Sequence, residues 1–256
     1  MTQRRGSTTE LDASHHWQLV VTGALAIVSC DPRQASSQAL THRYQPTTVG
    51  DEWVYRISQS HPAVQLPTTE SVERIVAVEQ RGDRLVARVH AEFFGSRSER
   101  DLVIGPLGVT PEIGDMTSSV GDVNAQVVEG VYLPRELSPG MRWDFRQQLN
   151  TPISKMSVSG TCQVVGDGEF QGMGAVHVRC ETKNHVVTTM QGAPPQTIEH
   201  VQIEDNYYVR GLGLVRSVTT TPQGYRSEKV LVRWNVAGAP GGPATGKDPQ
   251  APAASK

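Results

Sequence analysis

The chain has 256 residues, enough for one large domain or two small ones. Its 24 Lys and Arg against 26 Asp and Glu give a formal net charge of -2, so there is no cationic excess to neutralise a phosphate backbone and nucleic acid is not an expected partner. Frequent Val, Thr, Gly and Pro, with few helix formers beyond the N-terminus, describe short strands joined by tight turns, and the expected class is all-β.

The chain opens on an export segment. Trp17 to Ser29 reads WQLVVTGALAIVS, thirteen residues without a charge. A membrane-spanning helix needs roughly 20 apolar residues and a signal-peptide core roughly 7–15, so residues 1–29 read as a signal peptide with Arg4 and Arg5 in front. Ile27-Val28-Ser29-Cys30 is similar to a bacterial lipobox, in which the thiol accepts a diacylglyceryl group and small residues let a peptidase cut before the cysteine. The expected anchor is therefore a lipid on Cys30, with nothing spanning the bilayer. Residues 30–43 are polar and without period, and read as a lipidated flexible tether.

From Tyr44 the alternation is that of strands, about a dozen by pattern. Leu85, Ala87, Val89, Ala91 and Phe93 form one face, joined through an Arg81-Gly82-Asp83 turn to a run in which Val72, Val76 and Val78 are expected on that same face. Pro111 to Glu129 is the weakest stretch and reads as a long connection. Later, Val201, Ile203, Tyr207 and Val209 line one expected apolar face, and Val230, Val232, Trp234 and Val236 another. Residues 237–256, rich in Pro, Ala and Gly, read as a disordered tail.

With Cys30 acylated, Cys162 and Cys180 remain in an oxidising compartment, an even number. Met156, Val158, Gly160, Cys162 and Val164 alternate with polar residues, as do Val176, Val178 and Cys180, and GDGEFQGMG lies between the two runs. If Val164 faces Val178, the cysteines face each other, so a hairpin with a disulfide between Cys162 and Cys180 is expected.

The chain also matches itself. VGDEWVYR (Val49 to Arg56) and PGMRWDFR (Pro139 to Arg146) share Gly, Trp, an aromatic and Arg at one spacing, each after a Tyr-x-Pro at Tyr44 and Tyr132. Leu107-Gly108-Val109 has a counterpart in Leu212-Gly213-Leu214. Two related β units, 44–130 and 131–236, are expected, with Trp53, Tyr55, Trp143 and Phe145 as core anchors.

Tyr44, Pro46, Gly50, Trp53 and Tyr55, with Tyr208, Gly211, Gly213, Leu214 and Val215, resemble the opening and closing motifs of poorly characterised bacterial envelope lipoproteins; Arg210 and Leu212 depart from that pattern. The resemblance implies one or more large twisted antiparallel sheets, or a half-barrel, in the cell envelope, and brings no activity with it.

No Gly-x-Ser-x-Gly elbow, His-Glu-x-x-His helix or phosphate-cradling loop occurs, so no cofactor, metal or catalytic residue is assigned. His90, His177 and His200 read as residues of solvated strand faces, and Asp167, Glu169 and Asp205 as carboxylates without a partner fixed by sequence. Three functions stand in order: a membrane-tethered lipoprotein that binds or scaffolds an envelope protein without catalysis, a carrier of an apolar ligand such as an acyl chain or lipid on a concave sheet, and an envelope enzyme whose site assembles only in space.

Overall fold

The computed structural model describes residues 42–239, apart from 62–63, 94, 119–120, 151–153 and 190–193. The expected signal peptide at 1–29, the lipidation residue Cys30, the tether as far as 41 and the tail from 240 lie outside the described residues.

The described residues form fourteen strands and no helix: β1 Glu52–His61, β2 Val64–Gln65, β3 Thr69–Arg81, β4 Arg84–Phe93, β5 Ser96–Ile104, β6 Gly108–Ser118, β7 Gly121–Gly130, β8 Leu133–Pro134, β9 Arg142–Asn150, β10 Ser154–Phe170, β11 Met173–Thr188, β12 Gln196–Val209, β13 Gly213–Thr220 and β14 Arg226–Asn235. All belong to one large antiparallel sheet. Chain neighbours pair in succession, and β14 pairs with β1 as well as with β13, so the ladder returns to its first long strand and has a buried inner face. The strand directions put the turns at 82–83, 105–107, 171–172 and 210–212 at one end, with His42 and Val236; the turns at 95 and 221–225 lie at the other.

The pairing repeats. β1 lies between β14 and β3, and β9 lies between β7 and β10, so β1 and β3 to β7 map in order onto β9 to β14. Trp53 faces Glu73 where Trp143 faces Cys162, and the strands after them carry a bulge at the same place, between Ile75 and Ala77 and between Val164 and Gly166.

Trp53 and Tyr55 are fully buried, and they reach across to β13 and the turn before it: the Trp53 indole Nε1–H donates to the Leu212 carbonyl and the Tyr55 hydroxyl to the Leu214 carbonyl, both at 3.0 Å. In the second half the Trp143 Nε1–H donates to the Tyr132 carbonyl at 3.2 Å, and Phe145 covers Gly160, where an added Cβ would lie 2.2 Å from the ring. Cys162 and Cys180 are direct cross-strand partners joined by a disulfide, their Cα atoms 4.0 Å apart. In the chain-entropy account such a bridge contributes about 3 kcal/mol.

The turn of the hairpin that carries the cysteines is only Gln171-Gly172, because β10 runs to Phe170 and β11 starts at Met173. Several sequence expectations need correction. Pro111 to Glu129 is not a connection, because β6 and β7 pair there. Val72 and Val76 do not share the inner face, since the bulge at Val76 shifts the alternation and turns Ser71, Glu73 and Ile75 inward ahead of Val78. A second bulge skips Val232, so Lys229 and Leu231 face inward with Trp234.

The folded body starts before Tyr44, because His42 is buried and bridges Gln45. Its Nε2–H donates to the Pro134 carbonyl at 2.8 Å and its Nδ1 accepts the Tyr44 N–H at 3.2 Å. At the other terminus the Ala237 N–H donates to Asp51 Oδ1 at 2.9 Å, so the expected tail is held where it leaves the sheet.

Gly108, which opens β6, shows how tightly the joint between the halves is built. Its φ is +151°, and a Cβ there would lie 2.2 Å from the Leu133 carbonyl oxygen, while Gly172 at φ +79° faces open space. Gly108→Ala is expected to cost about 3 kcal/mol or more from strain plus overpacking, and Gly172→Ala about 1 kcal/mol. Urea unfolding of the two variants checks the ordering; equal costs would show that Leu133 yields freely.

Candidate functional site

Inward-facing residues change character along the sheet. Towards the end that holds His42 they are apolar and aromatic, with Trp53, Ile75, Leu102, Tyr132, Val164 and Leu214 in one cluster. Farther along, β11 and β12 present Thr182, Asn184, Gln202, Glu204 and Asn206, all buried. Register fixes their neighbours: Asn206 opposes Val178, Glu204 opposes Cys180, Gln202 opposes Thr182 and His200 opposes Asn184. Side chains directly opposite share a face, so His200, Gln202, Glu204 and Asn206 follow the disulfide inward.

This inverts the expected pattern of β12. Val201, Ile203 and Tyr207 lie on the outer face, with Ile203 40% exposed, whereas Gln202, Glu204 and Asn206 are 6%, 5% and 3% exposed. Burying polar groups costs free energy unless each is hydrogen-bonded, and here satisfaction is incomplete. The Gln202 amide donates to Glu204 Oε1 at 2.7 Å, but Thr182 Oγ1 and Asn184 Oδ1 are buried without a hydrogen-bond partner. Burial pushes the Glu204 carboxyl above its ordinary range, against the opposing hydrogen bonds from Gln202 and Asn206. The result is a strip of acceptors, from Glu204 to the row of His200 roughly 13 Å long at strand spacing.

A second polar cluster sits beside it. Glu73 of β3 accepts from Arg100 of β5 at 2.7 Å and from Lys229 of β14 at 2.6 Å, and the Lys229 ammonium lies 3.9 Å from the centre of the Tyr55 ring. Burial raises the Glu73 carboxyl, but Lys229 and Arg100 together outweigh it and hold the pKa below the usual value; burial lowers that of Lys229 despite the carboxylate. Tyr132 is pushed well up by burial, with Tyr208 and Glu204 adding to the rise and Arg100 opposing it, so both clusters bear on one interior.

The fold of the described residues is similar to that of solved structures. A chain from Bacteroides fragilis NCTC 9343, provisionally named an exported protein with a YmcC-like fold, superposes with a TM-score of 0.51 over 76% of this chain and 99% of its own, at 12% identity. This chain shares the YmcC-like fold. A second chain, from Parabacteroides distasonis ATCC 8503 and provisionally named a lipoprotein, gives a TM-score of 0.50 over 76% of this chain and 99% of its own, at 9% identity. No protein-family model matches the chain, and neither does any curated protein.

Of the residues singled out in the sequence, Cys162 and Cys180 lie on the inner face within the YmcC-like sheet. His90 and His177 lie on the outer face, where His90 pairs with Glu99, and His177 pairs with Asp205 and stacks on Tyr207. Asp205, read in the sequence as a carboxylate without a fixed partner, pairs across the ladder with His177 and Arg179. His200 is drawn to the inner face rather than a solvated one, and burial lowers its pKa. Among the described residues no group of three or more His, Cys, Asp and Glu is placed to hold a metal ion. Sequence reasoning missed Glu73, Arg100, Lys229 and Glu204. The one available signal was the spacing of Gln202, Glu204 and Asn206 at period two with the inward cysteines.

Proposed function

We propose that the protein is a lipoprotein of a bacterial cell envelope, tethered by acyl chains on Cys30, and that its sheet serves as a non-catalytic binding module. The lipobox-like Ile27 to Cys30 supports the address, as do the descriptions of the two fold neighbours as an exported protein and a lipoprotein, and a disulfide that belongs to an oxidising compartment. The observation that carries the binding role is the inversion of β12, which turns Gln202, Glu204 and Asn206 inward while Ile203 faces solvent. A fold gains nothing in stability from that choice, and local violations of patterning concentrate at functional sites. The strip would accept hydrogen bonds from hydroxyl, amide or ammonium groups of a ligand or partner segment.

The apolar carrier is less well supported by the same observation. An acyl chain laid along β11 and β12 would strip water from Thr182, Asn184 and Glu204 and give them no hydrogen bond in return. Related units joined by duplication also fit the repeated strand pairing.

Metabolic labelling with a palmitate analogue in a bacterial host tests the address. Label should enter the wild-type protein and be lost in Cys30→Ala. Equal labelling of both, or none in the wild type, would remove the anchor.

A further inference from the structure

The described chain begins at His42, at the same end of the sheet as the turn Gly105-Pro106-Leu107-Gly108. The two are linked by short contacts: His42 donates to the Pro134 carbonyl, and the next residue, Arg135, donates its N–H to the Leu107 carbonyl at 3.1 Å. Leu107 is 78% exposed, the most exposed large apolar side chain among the described residues. Its counterpart in the second half, Leu212, is fully buried beneath the Trp53 indole that donates to its carbonyl. Val49 and Val165 are also exposed towards this end, so three of the five exposed large apolar side chains among the described residues lie towards the end at which the tether joins.

Tether length favours the same orientation. Cys30 and His42 are twelve residues apart in sequence, a reach of at most about 43 Å for extended chain. The seventeen residues of β10 alone run roughly 56 Å at strand spacing. With the sheet upright, a lipid on Cys30 therefore keeps the His42 end nearer the bilayer than the far ends of β10 and β11. Exposed Arg43, Arg135 and Arg210 lie near the joint together with Glu136 and Asp167, three positive charges against two negative.

We propose that the Leu107 turn is a second membrane contact, seated in the head-group region of the bilayer that holds the Cys30 lipid, so that the sheet stands upright on the membrane with its polar strip away from it. The inference rests on the lipid-anchor reading. A single exposed leucine adds little affinity of its own and acts here by fixing orientation once the acyl chains have bound.

The test uses the acylated protein in phosphatidylcholine vesicles. With Cys30 acylated and Cys162 bonded to Cys180, a cysteine placed at Leu107 or at Gln223 is the single free thiol of the three-cysteine chain, and each takes an environment-sensitive fluorophore. The probe in Leu107→Cys should shift to the blue on vesicles and be quenched by brominated acyl chains, while the probe in Gln223→Cys keeps its aqueous emission. Protein that floats with the vesicles but shows aqueous emission at both positions would overturn the contact and leave the anchor standing; so would a blue shift at both, which reports on the dye. Protein that does not float with vesicles at all would remove the anchor and the inference with it.

Discussion

Glu73→Ala is expected to destabilise the protein by about 3–5 kcal/mol, because it leaves Arg100 and Lys229 buried together with their shared carboxylate gone. The side chains of Glu73 and Arg100 are 2% and 6% exposed, so water cannot take over the role of the lost oxygens. Replacing Glu73, Arg100 and Lys229 together by Leu and Met should recover most of that loss, since the desolvation cost of all three charges is then removed as well. Urea unfolding of the single and triple variants separates the two effects. A single variant within 1 kcal/mol of wild type would mean that the cluster is wet in solution.

Stability should also fall between about pH 6.5 and pH 4 through His42, whose pKa burial lowers from 6.5 to about 4. The sign follows from proton counts: in that window the unfolded chain binds a proton that the folded His42 does not, so its contribution is complete above 6.5 and lost as pH falls to the folded value. A shift of that size corresponds to about 3 kcal/mol. The neutral ring is the form the site accepts, because Nδ1 must receive the Tyr44 N–H while Nε2–H serves the Pro134 carbonyl. His200, also lowered by burial, adds loss of the same sign. Glu204, raised by burial, opposes both, since its contribution grows as pH falls towards the ordinary carboxylate value. The lowered carboxyl of Glu73 acts below the ordinary carboxylate range, where its pairing with Lys229 and Arg100 is lost. Unfolding free energies of wild type and His42→Phe across pH 7.5 to 4 isolate the imidazole; an identical slope in both would assign the loss elsewhere. Since His42 fastens the tether to the sheet, acid should loosen that joint first.

The hairpin of β10 and β11 was legible because its alternation is uninterrupted from Val158 to Val164 and its partner run places Val178 and Cys180 in matching positions. The turn between Arg81 and Arg84 was legible for the same reason. What the pattern hides is the bulge. One extra residue at Val76 exchanges the two faces of β3, so Val72 goes outward and Glu73 inward, and another at Val232 does the same for Lys229 and Leu231. Two of the three members of the charge cluster, Glu73 and Lys229, come from those strands, so it escapes a reading based on strict period two. β12 fails differently: its alternation is intact, but the greasier face is the outer one. Only pairing with the inward Cys180 reveals that, because burial is assigned by register and not by side-chain polarity.

Export and a lipid anchor on Cys30 are tested by the intact mass of native protein extracted in detergent. The expected product is a chain that begins at Cys30 and carries added acyl mass, with Cys162 and Cys180 oxidised. A full-length chain without acyl mass would contradict both.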